Sequence, residues 1–127
     1  MRECQECGRW GETQSHHKIP RGRDKRGWDF PGNLIDLCWD CHHGGSGPHR
    51  NRARAVRYFR EVRDYLNRTL TQPYYTPDKL SAAIKLPIKQ AHRVVRLLNP
   101  GEHGYRREDI IFRLCGNKYD WREESAS

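Results

Sequence analysis

Apolar side chains are scarce in this chain: 35% of its 127 residues are hydrophobic, against 31% charged. A core built by burial alone is therefore thin, and chains this lean add a staple such as a metal, a disulfide or a second subunit. Also missing is any stretch approaching the roughly 18 apolar residues of a membrane span, so no membrane partner is expected. The first seven residues, Met1-Arg2-Glu3-Cys4-Gln5-Glu6-Cys7, contain no apolar run of the kind that begins a secretory leader. There is no internal repeat. With Cys115 left as an odd cysteine, these absences lead to the expectation of a cytoplasmic chain with reduced thiols.

Acidic residues are in short supply as well, 16 against 24 basic, for a net charge of +8. Residues 1–60 hold 12 basic and 7 acidic side chains, and residues 61–127 hold 12 and 9, so the excess lies toward the amino-terminal half. The polyanion that best matches such a surface is nucleic acid, and DNA is the expected partner. A merely soluble basic surface is the plainer alternative.

What the chain does have is cysteine and histidine in close-set groups. Cys4 and Cys7 form one Cys-x-x-Cys pair, Cys38 and Cys41 a second, and Gly8 follows the first where a tight turn needs backbone freedom. Two such pairs supply the four thiolates of a closed tetrahedral site, so structural Zn²⁺ is expected at Cys4, Cys7, Cys38 and Cys41. Cys38-Trp39-Asp40-Cys41-His42 also satisfies the C-x-x-C-H rule for haem attachment. That reading needs export and leaves Cys4 and Cys7 idle. A thioredoxin-like redox pair needs a βαβ setting that the sequence does not offer.

Between the pairs, Thr13 to Ile19 reads as a short strand ending at Pro20, and Asn33 to Leu37 as a second. A helix begins at or just after Cys38 and stops by Gly44-Gly45. His16 and His17 are consecutive on the first strand, so their side chains face opposite ways. The loop between the strands carries Lys18, Arg21, Arg23, Lys25 and Arg26, which suit phosphate contacts or a plain solvated loop.

Here the sequence resembles the HNH family of metal-dependent nucleases, with the ββα-metal fold. The resemblance rests on His16-His17-x-Ile19-Pro20, on Asn33-Leu34-Ile35-x-Leu37-Cys38-x-x-Cys41-His42, and on the two cysteine knuckles, and it spans residues 4 to about 50. It implies that His17 is the general base and that Asn33 anchors the loop beside it. It further implies that His16 and His42 hold a catalytic divalent ion, Mg²⁺ or Mn²⁺, with Ni²⁺ or Zn²⁺ as further choices. His49 is the candidate third ligand, past the flexible Gly44 to Pro48 turn. The activity implied is hydrolysis of DNA phosphodiester bonds, by nicking or double-strand cutting. The setting implied is a bacterial or phage-infected cytoplasm, with a phage packaging or recombination protein as a further partner.

Beyond the motif, Val56, Phe59, Val62, Leu66 and Leu70 recur at helical spacing and mark one apolar stripe over residues 51–70. Residues 71–76, broken by Pro73 and followed by Pro77, read as a linker. Thr76-Pro77 then opens a helix, with threonine as cap and proline in the first turn. A second helix follows from Ile88 to Leu98 and a third from Arg106 to Leu114. The expected architecture is thus α+β: a ββα-metal core stapled by the Cys4 zinc site over residues 1–70, then a helix-turn-helix-like module over 77–119 and a tail over 120–127. In that module Lys85, Lys89, Gln90, Arg93 and Arg96 are candidate DNA contacts. The rival function is a non-catalytic zinc-ribbon DNA-binding protein, which would have no use for His17.

Overall fold

The computed structural model describes residues 2–19, 28–39, 41 and 52–116. Six short strands and four helices, as labelled here, carry the described chain: β1 (Arg2–Glu3), β2 (Trp10–Gly11), β3 (Gln14–His17), β4 (Leu34–Leu37), α1 (Arg52–Thr69), β5 (Tyr74–Tyr75), α2 (Pro77–Ile84), α3 (Ile88–Val95), β6 (Tyr105–Arg106) and α4 (Arg107–Leu114). A 3-10 turn over Pro31–Asn33 leads into β4, and the chain is helical at Trp39 and Cys41. This is a mixed α+β architecture, as its sequence predicts.

The strands pair as three antiparallel two-stranded ribbons. In β1–β2, Arg2 faces Gly11 and Glu3 faces Trp10. The intervening turn carries the first cysteine pair, with Gly8 at φ +78°, a conformation that favours glycine. In β3–β4, Gln14 faces Leu37 and His17 faces Leu34. Gln5 sews the two ribbons together: its amide donates to the Asp36 carbonyl at 2.9 Å, and its side-chain oxygen accepts from the Asp36 amide at 2.7 Å.

Helix α1 has two buried sides rather than the single stripe its spacing predicts. Phe59, Val62 and Leu66, followed by Leu70, enter the larger core as expected, while Val56 is only half-buried. Tyr58 turns the other way, into a small cluster with Cys4, Ile35, Leu37, Cys38 and Cys41. The larger core collects Ile19, Trp28 and Phe30 from the amino-terminal half together with Leu80, Ile84, Val94, Ile110 and Leu114 from the carboxyl-terminal helices. It takes side chains from both sides of residues 71–76, where β5 pairs with β6.

Close packing fixes how α1 meets the turn before β4. A methyl at Gly32 would lie 2.4 Å from the Tyr65 ring, which is itself stacked on Phe30 at 6.1 Å. The carboxyl end of α1 is held by Arg107, which donates to the carbonyls of Leu70 and Asn67 and so satisfies groups the helix leaves open. Helix α2 begins as predicted, with the Thr76 hydroxyl accepting from the Lys79 amide at 3.3 Å and Pro77 in the first turn. The helix expected to run to Leu98 ends at Val95. No described helix is long and apolar enough to cross a membrane.

Candidate functional site

The two cysteine pairs converge. Sulfur atoms of Cys4, Cys7, Cys38 and Cys41 all lie within 4.8 Å of one another, and those of Cys7 and Cys38 are 3.7 Å apart. A tetrahedron with metal–sulfur bonds of about 2.3 Å has edges of about 3.8 Å, so the donor set fits a zinc-sized ion. Cys4, Cys38 and Cys41 are buried and Cys7 is exposed.

The electrostatics of the cluster also point to a cation. Burial works against ionising Cys4, yet the backbone amides of Cys7, Cys38 and Glu6 directed at its sulfur outweigh that and lower the thiol to about 6. Cys41 is pushed up to about 12 by burial and by crowding against Cys38, Cys7 and the negative Cys4. Four thiolates this close repel one another unless a divalent ion sits among them, and amides turned toward sulfur are the usual dressing of such a site.

A second layer locks this cluster onto α1. Glu6, inside the first knuckle, accepts from Arg57 and from the Tyr58 hydroxyl at 2.9 Å, and Arg54 lies 3.4 Å away. Burial alone would raise the Glu6 carboxyl; these donors and charges hold it below its ordinary value. Arg54 also donates to the Cys41 carbonyl at 3.4 Å.

The histidine side of the motif lies at the far end of the β3–β4 ribbon. His16 is buried and His17 half-buried, as consecutive strand positions require. Asn33 is fully buried. Its side-chain oxygen accepts from the Ile19 amide at 2.9 Å, and its amide nitrogen donates to the carbonyls of Trp28 at 2.9 Å and Ile19 at 3.3 Å. Its own carbonyl accepts from Lys18 at 2.7 Å. An asparagine carries both donors and an acceptor on one planar group, which lets it tie the end of β3 to the segment that returns from the loop.

His17 Nε2 lies 2.6 Å from Asp29 Oδ1. The other carboxylate oxygen of Asp29 accepts from Gln90 Nε2 at 2.6 Å, and Gln90 Oε1 accepts from the Asp29 amide at 2.8 Å. Burial tends to raise the Asp29 carboxyl, but hydrogen bonds from His17 and Gln90, with Arg93 nearby, keep it below the usual carboxylate range. An ionised Asp29 can only accept, so the proton of neutral His17 resides on Nε2 and the lone pair on Nδ1.

The fold thus brings His16, His17 and Asn33 to one end of the ribbon and the four cysteines to the other. Lys18, expected to touch phosphate, donates to Glu61 at 3.3 Å. Gln90, expected on a DNA-facing helix, is directed at Asp29. His42, His49, Arg21, Arg23, Lys25 and Arg26 lie outside the described residues. Among those described, the four-cysteine cluster is the one group of histidine, cysteine and carboxylate side chains placed to hold a metal. Sequence reasoning did not single out Asp29, Glu6 or Tyr58. An acidic residue between the aromatics Trp28 and Phe30 was the available signal for Asp29.

Comparison with curated proteins gave no match, and comparison with solved structures gave none either. Residues 4–45, the segment holding both cysteine pairs, the two histidines and Asn33, match the family model described as HNH endonuclease.

Proposed function

We propose that this chain is a metal-dependent HNH endonuclease that hydrolyses phosphodiester bonds in DNA. The observation that carries this reading is the setting of His17: an imidazole half-open to solvent, with Nε2 held by Asp29 and its strand end fixed by the buried Asn33. A histidine serving only to fill space in a zinc ribbon needs neither arrangement.

In the proposed reaction, His17 Nδ1 removes a proton from water as that water attacks phosphorus, a role suited to an imidazole near neutral pH. Asn33 contributes by fixing the backbone from which His17 projects, so the ring needs no reorientation during the step. His16, on the opposite strand face, is the ligand we assign to a catalytic Mg²⁺ or Mn²⁺, together with His42 and His49. Such an ion, when bound, supplies Lewis-acid stabilisation to the charge that grows on the leaving oxygen. Lys18, Arg21, Arg23, Lys25 and Arg26 are the residues we assign to the DNA backbone, and the cysteine-bound zinc serves folding alone.

The test is cleavage of supercoiled plasmid with Mg²⁺ or Mn²⁺, comparing wild type with His17→Ala. Wild type is expected to convert the plasmid to nicked or linear form, and the variant to leave it supercoiled. Equal cleavage by both proteins, or by neither, would overturn the mechanism.

A further inference from the structure

Asp29 and Gln90 are 61 residues apart, and Gln90 belongs to a helix outside the segment matched by the nuclease family. Their contact is reciprocal. One planar side-chain amide reads two groups of a single residue, donating to the carboxylate and accepting from the backbone N–H. A side-chain amide carries its donor and its acceptor at separate ends of one planar group, and only this orientation of it satisfies both bonds.

The residues that flank the contact are anchored in the core. Trp28 and Phe30, on either side of Asp29, are 1% and 0% exposed and sit in the larger core, whereas Asp29 itself is exposed. The aspartate is therefore presented outward from a backbone pinned on both sides. Ala91, Val94 and Val95 of α3 are buried in the same core, which sets the position of Gln90. Two rigid elements meet through this amide, and the carboxylate they hold is the group on His17 Nε2.

We propose that Gln90 is a positioning residue for the active site, clamping Asp29 so that His17 keeps its proton on Nε2 and offers Nδ1 as the accepting nitrogen. The inference rests on the reading of His17 as the base. It means that the site is completed by α3, and that the carboxyl-terminal helices do more than dock the protein.

The pairing has a distinctive signature. Gln90→Ala removes both bonds while keeping a good helix former. Gln90→Glu keeps the acceptor for the Asp29 amide but sets a carboxylate against the Asp29 carboxylate. Asp29→Asn sets its side-chain amide against the donor end of Gln90. In the exchanged pair, Asp29→Asn with Gln90→Glu, the new asparagine donates to the new glutamate and its oxygen still accepts from His17. Each single variant is expected to lower kcat for plasmid cleavage by about 10- to 100-fold, the range for outer-sphere partners, with KM for DNA unchanged. The exchanged pair is expected to recover most of the loss, as directly coupled residues do.

A second measurement does not need cleavage. Long-range proton–nitrogen correlation spectra of the imidazole rings at pH 8, with His17→Gln to assign the signal, report which nitrogen carries the proton. Wild type is expected to show His17 as the Nε2–H tautomer alone, Gln90→Ala a mixture of both tautomers, and the exchanged pair the single form again. An unchanged His17 signal in Gln90→Ala, or no recovery in the exchanged pair, overturns the clamp. If wild type cleaves no plasmid while the tautomer responds as stated, the nuclease reading falls and the clamp stands.

Discussion

Replacing Asn33 should cost this fold more than replacing any residue expected to do chemistry. The Asn33 side chain makes three hydrogen bonds, to the Ile19 amide, the Ile19 carbonyl and the Trp28 carbonyl, and both partner residues are buried. At about 1 kcal/mol net per bond, with a further penalty for backbone groups left unpaired away from water, Asn33→Ala is expected to lose about 3 kcal/mol or more. With a urea slope of about 2 kcal/mol per molar, the unfolding midpoint falls by about 1.5 M. The assay is urea unfolding at fixed free zinc, followed by circular dichroism and by tryptophan fluorescence, because ligand concentration otherwise moves the midpoint. Asn33→Asp sharpens the test. It keeps the acceptor for Ile19 but turns two lone pairs toward carbonyl oxygens, so at neutral pH it is expected to be at least as unstable as the alanine variant. As pH falls the new carboxyl, whose folded pKa is raised by burial, takes up a proton and becomes a donor. Asn33→Asp should then gain on Asn33→Ala, and lose that gain as pH rises through the folded pKa. His17→Ala is the contrast: its half-exposed bond to Asp29 is worth under about 1 kcal/mol. A midpoint shift below about 0.5 M for Asn33→Ala, or a shift as large for His17→Ala, would refute the assignment of Asn33 as the tie between the two segments.

Cys4→Ser is expected to abolish stoichiometric zinc and unfold the amino-terminal half, whereas His42→Ala should stay folded, zinc-replete and inactive; zinc content and circular dichroism decide, and a folded, zinc-loaded Cys4→Ser protein contradicts the staple. Cys115 is 1% exposed and burial pushes its thiol up to about 12, so it stays protonated at pH 8 and should escape alkylation by iodoacetamide until denaturant is added; mass spectrometry of the native protein showing modified Cys115 would refute this. Gly32→Ala is expected to destabilise by about 1–3 kcal/mol, because the added methyl meets the Tyr65 ring at 2.4 Å. Adding Tyr65→Leu should recover part of that loss, and the absence of any loss in the thermal midpoint would show that the turn has room to move.

The parts of this molecule that could be read from sequence are those written into a few neighbouring residues. The two Cys-x-x-Cys pairs, the histidine pair on a strand and the Thr76-Pro77 helix start are all local signals, and each of these elements forms as expected. The double-sided burial of α1 was less legible, because the period of Phe59, Val62 and Leu66 dominates the pattern and a lone tyrosine beside it reads as surface. Tyr58 is drawn inward by Glu6, which lies 52 positions away and carries no periodicity at all. The same holds for Gln90. On its helix it reads as one polar residue among several, and nothing local distinguishes a glutamine that reads DNA from one that holds an aspartate 61 residues upstream.

The position of the β3–β4 ribbon explains how a chain with so little apolar content holds a site steady. At one end, Gln14 faces Leu37, and the next residue is Cys38 of the four-cysteine cluster. At the other, His17 faces Leu34, beside Asn33 and the aromatics Trp28 and Phe30 of the larger core. Four residue pairs, about 10 Å of strand, separate the two. The ribbon is thus held from both ends by clusters of different chemistry, one built around four cysteines and one of hydrocarbon. Helix α1 joins them, because Tyr58 enters the first cluster and Phe59 the second. A two-stranded ribbon alone is at best marginal in water. Set between these clusters, it becomes the rigid support from which His16 and His17 project to opposite sides.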